Sequence, residues 1–202
     1  DALGNVSKEI RTVTIPGDDK AYTFSSKYDY DSWGRMICMT YPDGEIVRYH
    51  YNTAGELNSM DWTKDAMSGV YIGRIHYNKY GSRSFMKYGN NTSTSYHYDQ
   101  LQRLNHLQSY DHNNVLMQDI VYNLDKVGNI GHIENMALPI GLLGGQYKNT
   151  YNYDNAYRLT YAEGNGDCGE WSNKLEYTNG GRIRWKHEYA NSSINNGTSI
   201  LI

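Results

Sequence analysis

The sequence predicts an all-β protein built from tandem antiparallel β-hairpins, and three observations support this class. A short motif of two tyrosines, an acid or amide and a turn recurs along the chain, with its second aromatic position repeating every 21 to 29 residues. Turn signals separate stretches of about seven residues, an ordinary strand length. Glycine, asparagine and β-branched or aromatic residues recur so often that no amphipathic helical stripe survives a full window.

The composition is typical of a folded chain whose buried surface is amphipathic. Among 202 residues there are 21 tyrosines and only 2 phenylalanines, and the formal net charge is −3. A tyrosine ring can stack on its neighbours while its hydroxyl stays hydrated or hydrogen-bonded. The small net charge predicts no nucleic acid as a partner. The longest apolar run, residues 136–145, is too short and too rich in glycine for a membrane span.

The turn after each tyrosine pair has its own residue signature. In four units Asp or Asn occupies the first position and glycine the fourth, in residues 31–34, 52–55, 78–81 and 125–128. The Asp or Asn oxygen caps nearby amides, and glycine tolerates the positive φ of a type I turn with a G1 bulge. Gln102 and Tyr157 replace this glycine while Asp99 and Asp154 remain. We therefore expect the turns at these two positions to be tighter or differently shaped.

Each motif is interpreted as a structural building unit. Tyrosines two residues apart, such as Tyr28 and Tyr30, lie on one face of a strand and supply stacked contacts to neighbouring strands. The arginine after the turn is expected to pair with the turn acid or to stack on tyrosine, with a polar ligand surface as the alternative. The repeat-motif residues assigned in this way are Tyr28, Tyr30, Asp31, Gly34, Arg35, Tyr49, Tyr51, Gly55, Tyr77, Gly81, Tyr96, Tyr98, Asp99, Arg103, Asp125, Gly128, Tyr151, Tyr153, Asp154, Arg158, Tyr177, Gly181 and Arg182.

Nothing in the sequence predicts a catalytic or metal site, and we expect neither an enzyme nor a bound cofactor. Each repeated aspartate occurs once per hairpin, in a turn, whereas paired catalytic carboxylates must converge in one cleft. The seven histidines show no metal-ligand spacing. Cys38 is expected as a buried strand residue, and Cys168 in a glycine-rich loop without a nameable partner base.

The strings YDYDSWGRM, YHYDQLQRL, YNYDNAYRLT and NLDKVGNI resemble the YD repeats of the Rhs family, which also occur in toxin-complex shell proteins and teneurins. The resemblance covers nearly the whole chain. It implies that residues 1–202 form a single array of about eight imperfect units, the first truncated, with no separate second domain. The hairpins would wind into a curved, spiralling sheet, open at both ends. Because residues 1–6 match the second half of a unit, we expect a piece of a longer array.

The resemblance also implies a function, since hairpins of this family form a hollow shell around a C-terminal polypeptide that is often a toxin. It implies a structural shell segment of a secreted or cell-surface bacterial protein, whose partners are the enclosed toxin and the neighbouring YD repeats. No D-P-x-G string occurs, so neither autoprotease nor toxin activity is assigned to this segment. The alternative is an adhesin-like carbohydrate- or protein-binding module, because sugar faces stack on aromatic rings. Unpaired edge strands would favour self-association between copies.

Overall fold

The computed structural model of the chain describes residues 1–17, 20–141, 145–166, 169–191 and 199–201, and in these residues it contains strands and turns but no helix. In chain order the strands are β1 (Lys8–Thr14), β2 (Ala21–Tyr30), β3 (Met36–Thr40), β4 (Ile46–Tyr51), β5 (Leu57–Lys64), β6 (Met67–Tyr77), β7 (Arg83–Tyr88), β8 (Ser93–Tyr98), β9 (Leu104–Tyr110), β10 (Leu116–Leu124), β11 (Ile130–Asn135), β12 (Tyr147–Tyr153), β13 (Leu159–Gly166), β14 (Gly169–Tyr177), β15 (Ile183–Asn191) and β16 (Ser199–Leu201).

Strands that follow one another in sequence are hydrogen-bonded neighbours from β1 to β7 and from β9 to β16. The pairing within each of these two runs is antiparallel. This order is that of tandem hairpins, so the predicted fold class is confirmed. Contacts divide the chain into two compact units, Asp1–Ser93 and Thr94–Ile202, each of which contains several repeat units. We call these two halves the first unit and the second unit. The expectation of one domain over residues 1–202 stays a prediction.

Turns alternate between the two ends of the strands in each unit. At one end lie five-residue turns that follow the YD motifs, and we call them the repeat turns: 1–5, 31–35, 52–56 and 78–82 in the first unit, and 99–103, 125–129, 154–158 and 178–182 in the second. At the other end lie the opposite turns, which include 41–45, 65–66 and 88–92 in the first unit and 111–115 and 136–146 in the second.

The strand that leaves a repeat turn contains one extra residue. Tyr30 pairs with Met36 but Asp29 pairs with Cys38, which makes Ile37 the bulged residue. The same register shift follows the repeat turns at 52–56, 78–82, 125–129, 154–158 and 178–182. A β-bulge bends its strand and increases the local twist. The hairpins around these repeat turns therefore share the same local bend.

Each unit has only a thin hydrophobic core. The buried hydrophobic residues are Val47, Ile75 and Met86 in the first unit and Ala137 and Ala162 in the second. Many tyrosines are half-buried rather than buried. Stability must therefore depend strongly on hydrogen bonds and on aromatic side chains with one wet end.

A buried asparagine holds the beginning of the long connection 136–146 in the second unit. Asn135 donates from Nδ2 to the Gly145 carbonyl at 2.9 Å, and its Oδ1 accepts the Asp119 and Ala137 backbone N–H groups at 2.9 and 3.3 Å. The side chain is 5% exposed. These three bonds satisfy a polar group that would otherwise be costly to bury.

Candidate functional site: the repeat turns

Asp31 shows how the first residue of a repeat turn holds the turn in place. Its Oδ1 accepts backbone N–H groups of Trp33 at 2.9 Å and Arg35 at 3.0 Å, and its Oδ2 accepts Arg35 Nε at 2.8 Å. The Gly34 N–H donates to the Asp31 carbonyl at 3.0 Å, and the Asp31 N–H donates to the Arg35 carbonyl at 2.9 Å. With φ +74° at Gly34, this is the predicted type I turn with a G1 bulge.

Other repeat turns use the same frame with the same or another complementary pair at the first and fifth positions. Arg103 Nε donates to Asp99 Oδ2 at 2.7 Å. The polarity is reversed in the turn 52–56, where Asn52 Nδ2 donates to Glu56 Oε2 at 2.9 Å. The complementary pairs are Asp31–Arg35, Asn52–Glu56, Asp99–Arg103, Asp125–Asn129 and Asp154–Arg158. Three of the four predicted arginines thus pair with their turn acids. Arg182 follows Thr178 instead, whose Oγ1 accepts the Arg182 backbone N–H at 3.2 Å.

Hydrogen bonding lowers the pKa of the turn carboxylates. At Asp99 the backbone N–H of Arg103 is the largest cause of the lowered pKa, and the Arg103 side chain adds to it against the effect of partial burial. At Asp154 the side-chain hydrogen bond from Arg158 is the largest cause of the lowered pKa. At Asp31 partial burial favours the neutral form, but the donors of Arg35 and Trp33 together outweigh it and lower the pKa. The acids are therefore ionised partners of arginine at neutral pH.

The expectation of different turns at Gln102 and Tyr157 is wrong. Gln102 has φ +61° and Tyr157 has φ +60°, so both occupy the region that glycine occupies elsewhere. Their N–H groups donate to Asp99 and Asp154 carbonyls at 3.0 and 2.9 Å, as Gly34 does in its turn. The first-position aspartate supplies the same hydrogen bonds, which hold a non-glycine residue in this region against a strain of about 1–2 kcal/mol.

The second tyrosine of a unit fastens that unit to the preceding repeat turn. The Tyr51 hydroxyl donates at 2.8 Å to the carbonyl of Met36, the residue directly after the turn 31–35. We call this contact the tyrosine latch. It is repeated by Tyr30 to Val6 at 3.1 Å, Tyr77 to Leu57 at 2.8 Å, Tyr153 to Ile130 at 3.1 Å and Tyr177 to Leu159 at 2.7 Å. Before the repeat turn 125–129, Leu124 occupies the position of the second tyrosine and carries no hydroxyl.

The fifth residue of a repeat turn reaches the next repeat turn. The Arg35 guanidinium carbon lies 4.4 Å from the ring centre of Tyr51, and the Arg158 carbon lies 4.5 Å from that of Tyr177. Arg103 donates from Nη1 to the Asp125 carbonyl at 2.8 Å. These arginines therefore pair with their own turn and contact the following unit, so the predicted alternatives of pairing and stacking occur together.

The contact of Arg35 with the following turn leaves little space for a side chain at position 55. A Cβ at Gly55 would lie 3.2 Å from Arg35 Nη1, whereas a Cβ at Gly34 would meet nothing within 4 Å. At Gly128 and Gly181 a Cβ would lie 3.9 Å from the arginine of the preceding turn, which is an ordinary contact. Among the glycines that the structure describes in the repeat turns, the space beside the preceding turn is therefore tight at Gly55, and the others are favoured by their positive φ.

The remaining predicted tyrosines lie on the strands beside the repeat turns. Tyr28 and Tyr30 share one face of β2, as predicted, and Tyr28 donates to Glu9 Oε2 at 3.2 Å. Burial raises the pKa of Tyr49 on β4. The first-position tyrosines and Tyr98 are half-buried: Tyr28, Tyr49, Tyr96, Tyr98 and Tyr151.

The histidines and Cys38 form no recognisable reaction centre. His50 contacts the Asp61 carboxylate, and the His97 and His106 rings stack with centres 5.4 Å apart. In the part of the chain that the structure describes, no group of three or more metal-ligating side chains is found. Cys38 is half-buried rather than buried, because one face of its short strand is uncovered, and partial burial raises its pKa. Cys168 lies outside the described residues.

A search of the described residues finds no helix of the length and apolarity that a membrane crossing needs.

The fold and the repeat turns together define a protein of tandem antiparallel β-hairpins. A scan against protein-family models and a search of curated proteins give no match. Solved structures match over 98% of this chain: TcdB2-TccC3-Cdc42, TcdB2-TccC3 and the Tc holotoxin pore of Photorhabdus luminescens each have a TM-score of 0.87 at 22% identity. The chain spans only 11 to 12% of their lengths. This likeness establishes the fold and supports the Rhs/YD-repeat relationship that the motifs predict.

Proposed function

We propose that this chain is a structural segment of the shell wall of a secreted or cell-surface Rhs/YD-repeat protein. The shell would enclose a C-terminal toxin, or another polypeptide of the same parent chain, and keep it partly unfolded for export. The main support for this proposal is the tyrosine latch. The same tyrosine hydroxyl position in several hairpins bonds each hairpin to the one before it, and a wall built of many tandem hairpins requires such bonds.

The fold match supports the same proposal, because the structures with this fold are toxin complexes and this chain corresponds to about a tenth of each. We propose no catalytic role for the segment. Asp31, Asp99 and Asp154 are engaged in separate turns, each with its own backbone donors, rather than converging in one cleft.

The alternative of a carbohydrate-binding module receives less support. It was motivated by rows of exposed tyrosine and arginine along the sheet. The second tyrosines instead donate to backbone carbonyls, and Arg35 and Arg158 pair with aspartate and stack on tyrosine. These groups are therefore already engaged within the chain.

Limited proteolysis of the natural polypeptide that contains this chain tests the proposed role. We expect the polypeptide enclosed by the shell to resist a nonspecific protease at concentrations that rapidly degrade the same polypeptide expressed alone. Mass spectrometry of the fragments over time identifies which segment is protected. Equal cleavage rates for the enclosed and the free polypeptide, with the repeat segment still intact, would remove the proposal.

A pair of variants connects the test to the latch. Replacing Tyr51 and Tyr77 together by phenylalanine removes two latches, and we expect earlier cleavage of the enclosed polypeptide. Tyr80→Phe is the matched control, because Tyr80 is 60% exposed and lies inside a repeat turn rather than at the latch position.

A further inference from the structure

Two clefts lie on either side of Tyr71, beside the opposite turns of the first unit. The first has a volume of about 420 Å³ and is lined by Tyr41, Asp43, Glu45, Tyr49 and Tyr71, with Val47 and Met60 at its base. We call it the acidic tyrosine cleft. It combines three aromatic rings with two carboxylates in one concave surface, and none of these residues takes part in a repeat turn.

The second cleft has a volume of about 520 Å³, and we call it the tryptophan cleft. Trp62, Val70, Tyr71 and Tyr88 supply its apolar lining, and no carboxylate contributes to it. The ring centres of Trp62 and Tyr71 are 6.1 Å apart. Tyr71 is therefore a shared wall between one acidic cleft and one apolar cleft.

A β-bulge places Tyr71 in this position. Met60 pairs with Ile72 and Asp61 pairs with Val70, so Tyr71 is the extra residue of β6. Bulges redirect side chains in this way. The Tyr71 hydroxyl donates to Glu45 Oε1 at 2.6 Å, and its carbonyl accepts the Gly89 N–H at 2.9 Å.

Two glycines preserve the shape of the tryptophan cleft. A Cβ at Gly69 would lie 2.7 Å from Trp62 Nε1, so the indole rests directly on a glycine. A Cβ at Gly89 would lie 1.5 Å from the Val70 carbonyl oxygen, which no side chain could tolerate. The approach of these strands and the position of the indole both require the absence of a side chain.

The charge beside the acidic tyrosine cleft is negative. Asp43 accepts Lys64 Nζ at 2.7 Å, Glu45 accepts the Tyr71 hydroxyl, and Asp65 adjoins Lys64 in sequence. The two carboxylates of the cleft, Asp43 and Glu45, thus lie beside one ammonium group, that of Lys64. The hydrogen bond to Glu45 raises the pKa of Tyr71, so this ring stays neutral. Aromatic faces and uncompensated carboxylates both attract cations.

We propose that the acidic tyrosine cleft binds the cationic side chain of a lysine or arginine in an extended polypeptide, with an apolar side chain two residues along in the tryptophan cleft. Side chains two residues apart project to the same side of an extended chain about 6.6 to 6.8 Å apart. The two clefts share the ring of Tyr71, so an extended chain that crosses this ring presents alternate side chains to both. The assignment of this polypeptide to the segment enclosed by the shell rests on the proposed function, whereas the binding chemistry does not.

Titration calorimetry of the 202-residue chain with blocked peptides tests the proposal. The probe is acetyl-Gly-Ser-Arg-Ser-Leu-Ser-Gly-amide, and its control carries citrulline in place of arginine, which keeps the shape but removes the charge. We expect the arginine peptide to bind at least about fivefold more tightly. Replacing leucine by serine in the probe should also weaken binding. Equal affinity for the arginine and citrulline peptides, or no detectable binding of the arginine peptide, would overturn the proposal.

The matched variants are Glu45→Gln and Glu9→Gln. Glutamine at position 45 still accepts the Tyr71 hydroxyl but removes one charge from the cleft, so we expect the affinity for the arginine peptide to fall about fivefold and that for the citrulline peptide to stay unchanged. Glu9 also accepts a tyrosine hydroxyl but lies on β1, away from both clefts, so its variant should bind normally. An unchanged affinity in a folded Glu45→Gln variant would contradict the proposal.

This experiment separates the two proposals. If the enclosed polypeptide is protected from protease but the peptide does not bind, the proposed binding site is wrong and the proposed shell function stands. If the arginine peptide binds selectively but the enclosed polypeptide is not protected, the proposed shell function is wrong and the proposed binding site stands.

Discussion

The two ends of the strands in each unit use their residues for different purposes. The repeat turns keep one length, one hydrogen-bond frame and, in most units, one latch to the preceding turn. The opposite turns range from two residues at 65–66 to the long connection between β11 and β12, and the two clefts beside Tyr71 lie near this end of the strands in the first unit. Cohesion concentrated at one end therefore leaves the other end free to vary in shape and charge.

The largest difference in stability between the two ends is expected when the first aspartate of a repeat turn is removed. Asp154→Ala deletes acceptors for two backbone N–H groups and for Arg158, leaving a half-buried guanidinium without its counter-charge. We expect the melting temperature, followed by circular dichroism, to fall by about 5 °C or more.

Asp43→Ala is the counterpart at an opposite turn. Asp43 accepts one backbone N–H, from Glu45 at 3.2 Å, and its ion pair with Lys64 is largely exposed. We expect a change within about 2 °C. Equal losses for the two variants would mean that the repeat turns are no more important for cohesion than the opposite turns.

A smaller effect is expected from filling the space beneath an arginine. Gly55→Asn and Gly34→Asn both place asparagine at positive φ, which asparagine tolerates. Of these two positions, Gly55 is the one where the new side chain would crowd the Arg35 guanidinium, which contacts Asp31 and Tyr51. We expect Gly55→Asn to lower the free energy of unfolding by about 1 kcal/mol more than Gly34→Asn in urea denaturation.

Adding Arg35→Ala to both glycine variants should remove this difference, because the crowded group is then absent. A difference that persists in the double variants would show that the glycine at position 55 is needed for another reason.

The loss of one latch is expected to have an effect of similar or smaller size. Tyr177→Phe leaves the Leu159 carbonyl without its 2.7 Å donor and should lower the free energy of unfolding by about 1 kcal/mol. Tyr80→Phe, at an exposed ring, should change it by less than about 0.5 kcal/mol. If the two variants were equally stable, the latch would contribute no net cohesion.

The smallest effect per residue is expected from acid. The folded pKa of Asp99 lies below its unfolded value of about 3.9, so its contribution to stability is complete above that value and is lost as pH falls through the folded pKa. Urea midpoints at about pH 7 and about pH 3 should therefore differ more for the wild-type chain than for Asp99→Asn. An identical pH dependence of the two proteins would contradict the role assigned to the ionised acid.

Local signals in the sequence were sufficient to predict the strands and most turns. Alternating tyrosines and an Asp-x-x-Gly turn act over a few residues, so the hairpins, their antiparallel pairing and the positive φ at Gly34 follow from the chain alone. The pairing of Arg35 with Asp31 could be predicted for the same reason, since both belong to one turn.

Contacts between successive turns were not predicted. Gln102 and Tyr157 were expected to change the turn because they lack the backbone freedom of glycine, but the hydrogen bonds of Asp99 and Asp154 hold both residues at positive φ. The tyrosine latch was missed because its acceptor is a backbone carbonyl about twenty residues away, which has no residue signature. The position of Tyr71 was missed because a bulge changes the face that simple alternation would assign.

The sequence by itself determined the repeating unit of this protein, because turn geometry and strand alternation depend on residues close together in the chain. The tertiary structure alone decided how the units hold one another and where the clefts form. Because successive repeat turns lie close together, Tyr51 and Arg35 link neighbouring hairpins, and Arg35 leaves little space beside Gly55. At the other end of the strands the bulge at Tyr71 brings this ring to the cleft of Tyr41 and Glu45, an arrangement that depends on register between strands rather than on spacing along them.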